Sequence, residues 1–259
     1  MFLYFKNLRR QLLSQNKIGK YLFYAIGEIL IVIIGILMAV RVDSWNKQQE
    51  ERTREILILK AIMTELESDL EVLANNDLEV HEFQVWSSDI IIEQLENNMP
   101  YHDSLARYFL ETCNFTVFVL NKGGYETLKS LGVGIITNTD LRKEIIYLYD
   151  GQYQFADVFA KDLRDNFIHG EKYIFGTRFE EAEKFEMVLD EKFAGESFIG
   201  EMIPLDFESL RNDSEYLYYL KTTKNKHKQY ITILKAVIDE ITGVISDIQE
   251  ELRSLEKES

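Results

Sequence analysis

With 44 Asp and Glu against 29 Lys and Arg in 259 residues, the chain carries a formal net charge of −15, a balance that argues against nucleic acid as a partner. Cys113 is its only cysteine, so no internal disulfide can form and a domain must be held by packing alone, for which this length is ample. Two prolines, Pro100 and Pro204, leave long stretches free to be helical.

Residues 1–20 contain Lys6, Arg9, Arg10, Lys17 and Lys20 and no acid. Phe2, Phe5, Leu8 and Leu12 recur among them at helical spacing, which suits a short amphipathic helix on an anionic membrane surface or a plain topology signal. From Tyr21 to Val42 the chain is an apolar run with one acidic residue, Glu28. As a helix it spans roughly 33 Å, enough to cross a hydrocarbon core of about 30 Å. Tyr21 and Tyr24 at one end and Trp45 beyond the other are expected at the headgroup level, with Arg9 and Arg10 on the membrane surface. The basic excess before the run places the N-terminus in the cytoplasm and the C-terminus on the far side. The run is longer than the core of a cleaved signal peptide, and Ala39-Val40-Arg41 offers no small-x-small cleavage pattern.

A carboxylate within a bilayer is costly unless it meets another helix, meets water or is held neutral. Steps of three and four from Glu28 give Ile31, Gly35, Met38, Val42, Trp45, Gln49, Arg52 and Ile56, and Gly35-x-x-x-Ala39 permits close approach of a second helix. Glu28, Gly35 and Ala39 are therefore the candidate helix-association residues. Two other readings stand beside this one: Glu28 snorkels to the cytoplasmic headgroups, or it serves proton or ion passage.

Beyond the run, Ile56, Leu59, Met63, Leu66, Leu70 and Leu73 keep a three-four rhythm, the seam of a coiled-coil or bundle helix. That helix is predicted over about 46–98, disturbed at Asn75-Asn76, continuing through Phe83, Trp86, Ile90 and Leu95, and stopped by Asn97-Asn98-Met99-Pro100. Helices are further expected near Ser104–Cys113, Tyr125–Leu131 and Asp140–Phe167, the last opened by a Thr137-x-x-Asp140 capping box, with Gly123-Gly124 and Gly132-Val133-Gly134 as turns. Residues 170–212 have weak periodicity. A final helix over about 213–256, capped by Asp213 or Ser214, repeats the seam at Ile231, Leu234, Ile238, Ile241, Ile245, Ile248, Leu252 and Leu255. Two long helices at opposite ends of one body bury their stripes against each other by running antiparallel. The expected fold is all-α: a single transmembrane helix continuing into an extracytoplasmic antiparallel helical bundle or coiled coil over 43–259, with 101–212 as its membrane-distal part.

The catalytic signatures are missing. His81, His102, His169 and His227 form no His-Glu-x-x-His and no Glu-x-x-His pair, and are expected to be ordinary surface or part-buried residues. There is no Gly-x-Ser-x-Gly, Gly-x-Gly-x-x-Gly or Cys-x-x-Cys. Glu65, Glu67, Asp69 and Glu71 alternate around the helix and read as a solvated face, and Cys113 reads as an inert thiol. No catalytic, cofactor or metal residue is assigned, and an enzyme is not expected.

The stretch from Lys20 to Asn46, with its Ala25-Ile-Gly-Glu-Ile29 core and its Trp45-Asn46 pair, resembles the signature of an uncharacterised family of bacterial single-pass membrane proteins of the Bacteroidota type, and Tyr125 to Gly132 resembles a second family segment. The resemblance implies an inner-membrane protein with a periplasmic helical domain and brings no activity or cofactor. The leading functional expectation is a structural or interaction protein, with the lipid bilayer and a second copy or another membrane protein as partners. The alternatives are a ligand-binding sensor module with a separate signalling partner, or a subunit of an ion-conducting assembly.

Overall fold

The computed structural model describes residues 18–112, 120–180, 186–189, 196–199 and 201–257, so Arg9, Arg10 and Cys113 lie outside the described residues. The chain divides into two compact units, Met1–Arg54 and Glu55–Ser259. In the first, the described residues are the opening part of helix α1 (Ile18–Val72). This stretch is long and apolar enough to cross a membrane, and none of its most apolar window is buried within the chain.

The second unit is built almost wholly of helices. The remainder of α1 passes through a π-helical turn (Leu73–Asp77) into α2 (Leu78–Glu96). Then come α3 (Leu105–Thr112), α4 (Gly123–Leu131) and α5 (Thr139–Tyr147), a second π turn (Leu148–Gln152) and α6 (Tyr153–Tyr173). A short α7 (Phe207–Leu210) precedes α8 (Ser214–Lys257). One departure from the all-α expectation falls in the weakly periodic stretch: β1 (Glu186–Leu189) pairs antiparallel with β2 (Glu196–Ile199), Glu186 opposite Ile199. Nearby, Glu180 N–H donates to Ile203 O and Leu205 N–H to Arg178 O, closing a bridge between Phe179 and Pro204.

Helix ends follow local chemistry. At the foot of α2, Asn98 takes φ 54°, Met99 N–H donates to Gln94 O and Asn98 N–H to Leu95 O, the paired bonds of a Schellman motif with asparagine in the left-handed position. Pro100 then forbids continuation, and its carbonyl accepts from Gln94 Nε2. Asp213 caps α8 by accepting from Tyr216 N–H at 2.9 Å, and Arg178, 2.7 Å away, holds its carboxyl below the usual range. The cap of α5 is Asn138, whose Oδ1 accepts from Asp140 and Leu141 N–H, and not the Thr137 box that the spacing suggested. Thr137 is committed elsewhere: its N–H and hydroxyl both donate to Glu55.

The seam of α1 is broader than a two-residue heptad stripe. Leu59, Leu66 and Leu73 are buried with Ile56, Met63 and Leu70 partly so, but Ile58 and Ile62 are buried as well, as expected of a helix with more than one neighbour. On α2 the expected Phe83–Trp86–Ile90 stripe is displaced. The π turn inserts one residue and rotates the helix beyond it by about 100°, so His81, Gln84, Ser88, Ile91 and Leu95 face inward while Trp86 is 49 % exposed. On α8, Leu234, Ile241, Ile245, Ile248, Leu252 and Leu255 are buried as spaced, joined by Tyr230, Val237 and Val244. Surface ion pairs join the long helices: Lys221 to Glu96, Lys224 to Asp89, Lys235 to Glu82 and Lys60 to Glu256. Partner numbers fall as α8 numbers rise.

Three acids of α1 hold the segment 120–137 in place. Glu65 is half-buried and accepts from Gly124 N–H with both oxygens at 2.8 Å, so a carboxylate satisfies an orphan donor at the positive end of α4. Asp69 is fully buried and accepts from Asn121 N–H, from Asn121 Nδ2 at 2.6 Å and from the Tyr153 hydroxyl at 3.1 Å. Burial pushes its carboxyl up to about 6 against the pull of those donors. Of the face read as solvated, only Glu67 and Glu71 are exposed. Gly123-Gly124 open α4 in place of forming a turn, because a Cβ at Gly124 would sit 3.0 Å from Glu65 Oε2 and 3.1 Å from Ile62 Cγ1. Gly132, at φ 94°, ends the helix. Replacing Gly124 by Ala should lower unfolding stability by about 1–3 kcal/mol through overpacking, measured as a drop in the denaturant midpoint with unchanged slope.

Candidate functional site

In the first unit, Glu28, Gly35 and Ala39 all lie on α1 and are exposed. No described side chain pairs with Glu28, and a Cβ built on Gly35 meets nothing within 4 Å. Among the described residues none covers α1 along its most apolar window. Trp45 is 60 % exposed, while the side chains of Tyr21 and Tyr24 lie outside the described residues.

The second unit holds a site that pattern reading missed. Its interior consists of two apolar clusters, one around Leu59, Leu66, Leu148, Leu234 and Ile248, the other around Ile91, Leu105, Phe109, Tyr216 and Leu220. Between Leu73 and Ile91 on one side, and between Leu220 and Tyr230 on α8, the inward positions are polar: Asp77, His81, Gln84, Ser87 and Ser88 face Thr223 and His227, all buried. At the centre two imidazoles meet. His81 Nδ1 lies 2.8 Å from His227 Nδ1 and 3.0 Å from Gln84 Oε1, and the Tyr230 ring stands edge-on to His81 with centroids 4.8 Å apart.

The donors and acceptors of this cluster constrain one another. Gln84 Oε1 can only accept, so it calls for the hydrogen of His81 on Nδ1, which leaves a lone pair on Nε2. That Nε2 is buried without a hydrogen-bond partner, 3.6 Å from Asp77 Oδ1, and Asp77 Oδ2 is likewise buried and unpartnered. A lone pair facing an ionised carboxylate would be repelled, whereas a protonated Asp77 is matched to it. Desolvation acts in the same sense throughout. It pushes Asp77 up to about 7, His81 down to about 4 despite the opposing Gln84 bond, and His227 down to about 3, with His81 lowering it further. Burial thus inverts the ordinary order of proton affinity, with the Asp77 carboxyl above both imidazoles.

Beside His227, a recess about large enough for one water molecule is bordered by Asn166, Phe167, Tyr219 and Thr223. Asn166 Nδ2 donates to Thr223 Oγ1 at 2.8 Å, and the Thr223 hydroxyl donates to Tyr219 O. Among the described residues no three His, Cys, Asp or Glu side chains converge to hold a metal ion. His102 and His169 are exposed, as the sequence suggested; His81 and His227 are not, because the stripe that carries them is inward. The signal was partial: the α1 seam extended in its own rhythm falls on Asp77, Val80, Gln84 and Ser87, of which Val80 is exposed and yields its inward place to His81 through the π turn, while the α8 seam run backwards from Leu234 meets Tyr230, His227 and Thr223.

A family model described as a family of unknown function, DUF6090, matches residues 28–181, more than half of the sequence. The chain belongs to that family. The match takes in Glu28, Gly35 and Ala39 as well as the π turn, Asp77, His81 and the segment anchored by Glu65 and Asp69; His227 falls beyond it. No curated protein and no solved structure matches this DUF6090 member.

Because the folded protein keeps both imidazoles neutral while the unfolded chain protonates them below about 6.5, their stabilising share is present above that pH and lost as pH falls toward 4. Asp77 and Asp69, raised in the fold, work in the opposite sense. His227→Gln, which retains one donor and one acceptor, should flatten the rise of unfolding free energy between pH 4 and 6.5 by up to about 1.4 kcal/mol per pH unit in denaturant titrations.

Proposed function

We propose that this DUF6090 protein is a membrane-anchored interaction protein of the bacterial inner membrane. Residues 1–20 lie in the cytoplasm, α1 crosses the bilayer once, and the second unit stands in the periplasm as an acidic antiparallel helical bundle that meets a partner. The observation that carries the reading is the open face of α1, where a carboxylate and a small-residue step share an apolar helix with none of the described residues outside that helix against them. A second copy of the helix supplies what Glu28 lacks, a group to share its proton across the contact. The opposed run of ion pairs between α8 and the α1–α2 stretch supports the antiparallel bundle. The basic N-terminal flank supports the orientation. Excluding residues 1–20 and Glu28 leaves 24 basic against 43 acidic side chains, about −19, which suits a cationic or polar partner and disfavours an anionic surface.

Glu28→Gln combined with Gly35→Ile should reduce the oligomer to a smaller species in both detergent and bilayer measurements of mass. Unchanged size would remove the association through this face. A protease-sensitive tag after Ser259 should be cut from outside once the outer envelope is opened, and protection there would reverse the orientation.

A further inference from the structure

We propose that the π turn Leu73–Asp77 is a pH-gated hinge, latched while the buried Asp77 carboxyl beside His81 keeps its proton and loosened as that carboxyl ionises. The turn is a place of weak backbone geometry: five residues are wound with i to i+5 bonds, Leu78 N–H reaching Leu73 O. What holds it wound is inward packing of its two buried residues, Leu73 in the apolar cluster and Asp77 in the polar layer. Asp77 is the weak member of the two. It is 5 % exposed, and neither its Oδ2 nor the facing His81 Nε2 has a hydrogen-bond partner.

The titratable groups around it come from three elements. His81 belongs to α2, His227 and Tyr230 face it from α8, and Asp157 of α6 bears on Tyr230. None of these is a cation at neutral pH, so an ionised Asp77 has no counter-charge and gains by reaching water. Burial raises its titration to about 7 from an ordinary carboxyl value of 3.8, so between those values each unit of pH multiplies the open population about tenfold, and above 7, where both states are ionised, the gain levels off. That gain is too small to rotate α2 as a body, since Ile91, Ile92 and Leu95 lie in the second apolar cluster, each with roughly a tenfold to hundredfold preference for burial. The opening is therefore confined to the turn, with His81 kept against His227; exposing His81 as well would let it take up a proton and cancel the dependence on Asp77.

The test is amide hydrogen exchange of the full chain in a bilayer disc from pH 5 to 8, corrected for intrinsic base catalysis. Protection of residues 73–78 should fall about tenfold per unit from pH 5 to 7 and level off above 7, while residues 91–96 keep theirs. Asp77→Asn, whose amide can donate to His81 Nε2 and cannot ionise, should abolish the fall. His81→Gln should retain it, because the carboxyl is still there to titrate. Protection of 73–78 that is flat between pH 5 and 7, a fall that persists in Asp77→Asn, a fall lost in His81→Gln, or an equal fall at 91–96 would each overturn the hinge. If Asp77→Asn does not fold, the carbon-13 shift of the wild-type Asp77 carboxyl decides: a midpoint within one unit of the pH at which the fall levels off sustains the proposal, and one outside it defeats it.

Discussion

Two neutral imidazoles in contact, shut away from water between two apolar clusters, set the terms for the rest of the helical unit. A layer of this kind is satisfied only at one alignment of the helices that supply it. Sliding α8 by one turn against α2 would separate His227 from His81 and leave Gln84, Asp77 and Thr223 facing hydrocarbon, a penalty that apolar seams such as Leu66 or Ile248 do not impose by themselves. The apolar clusters supply most of the driving force, and the polar layer between them selects the register in which it is realised.

The same layer explains the π turn. A regular helix continuing from Leu73 would direct Val80 inward where His81 now lies; one inserted residue exchanges them and places Asp77 beside the imidazole. The strain of the insertion is thus linked to the chemistry of the layer, as bulged helices commonly are where a side chain must be aimed. Anchoring at the other end of the core works by different means. There Glu55, Glu65 and Asp69 reach out from α1 to backbone donors of a connecting segment, and Tyr125 stacks on Tyr149 at 4.4 Å while its hydroxyl donates to Asp150.

Much of this was legible in the residues. The α1 and α8 seams, the Asp213 cap, the stop at Asn97–Pro100 and the disturbance at Asn75-Asn76 are local, and local chemistry is what a single sequence displays. Contacts between distant segments were not. His81 and His227 are 146 positions apart, and a stripe that turns polar looks like a surface until its partner stripe is seen to do the same. Glu65 and Asp69 misled for the same reason, since an acid on a helix reads as solvated unless the loop that donates to it is known. Thr137 lost its capping role to Asn138 because Glu55, 82 residues earlier, takes both of its donors. The Glu28 face stays as the sequence presents it, an apolar helix with one acid and a small-residue step.

Glu55 is the earliest acid of α1 to be tied into the helical unit, and every tether after it, Glu65 and Asp69 included, lies on the same side of Arg54. A peptide-bond cut in the exposed stretch between Val42 and Glu50 would thus sever no stabilising link within that unit. Such a cut would part an intact, strongly acidic helical body from the apolar stretch of α1.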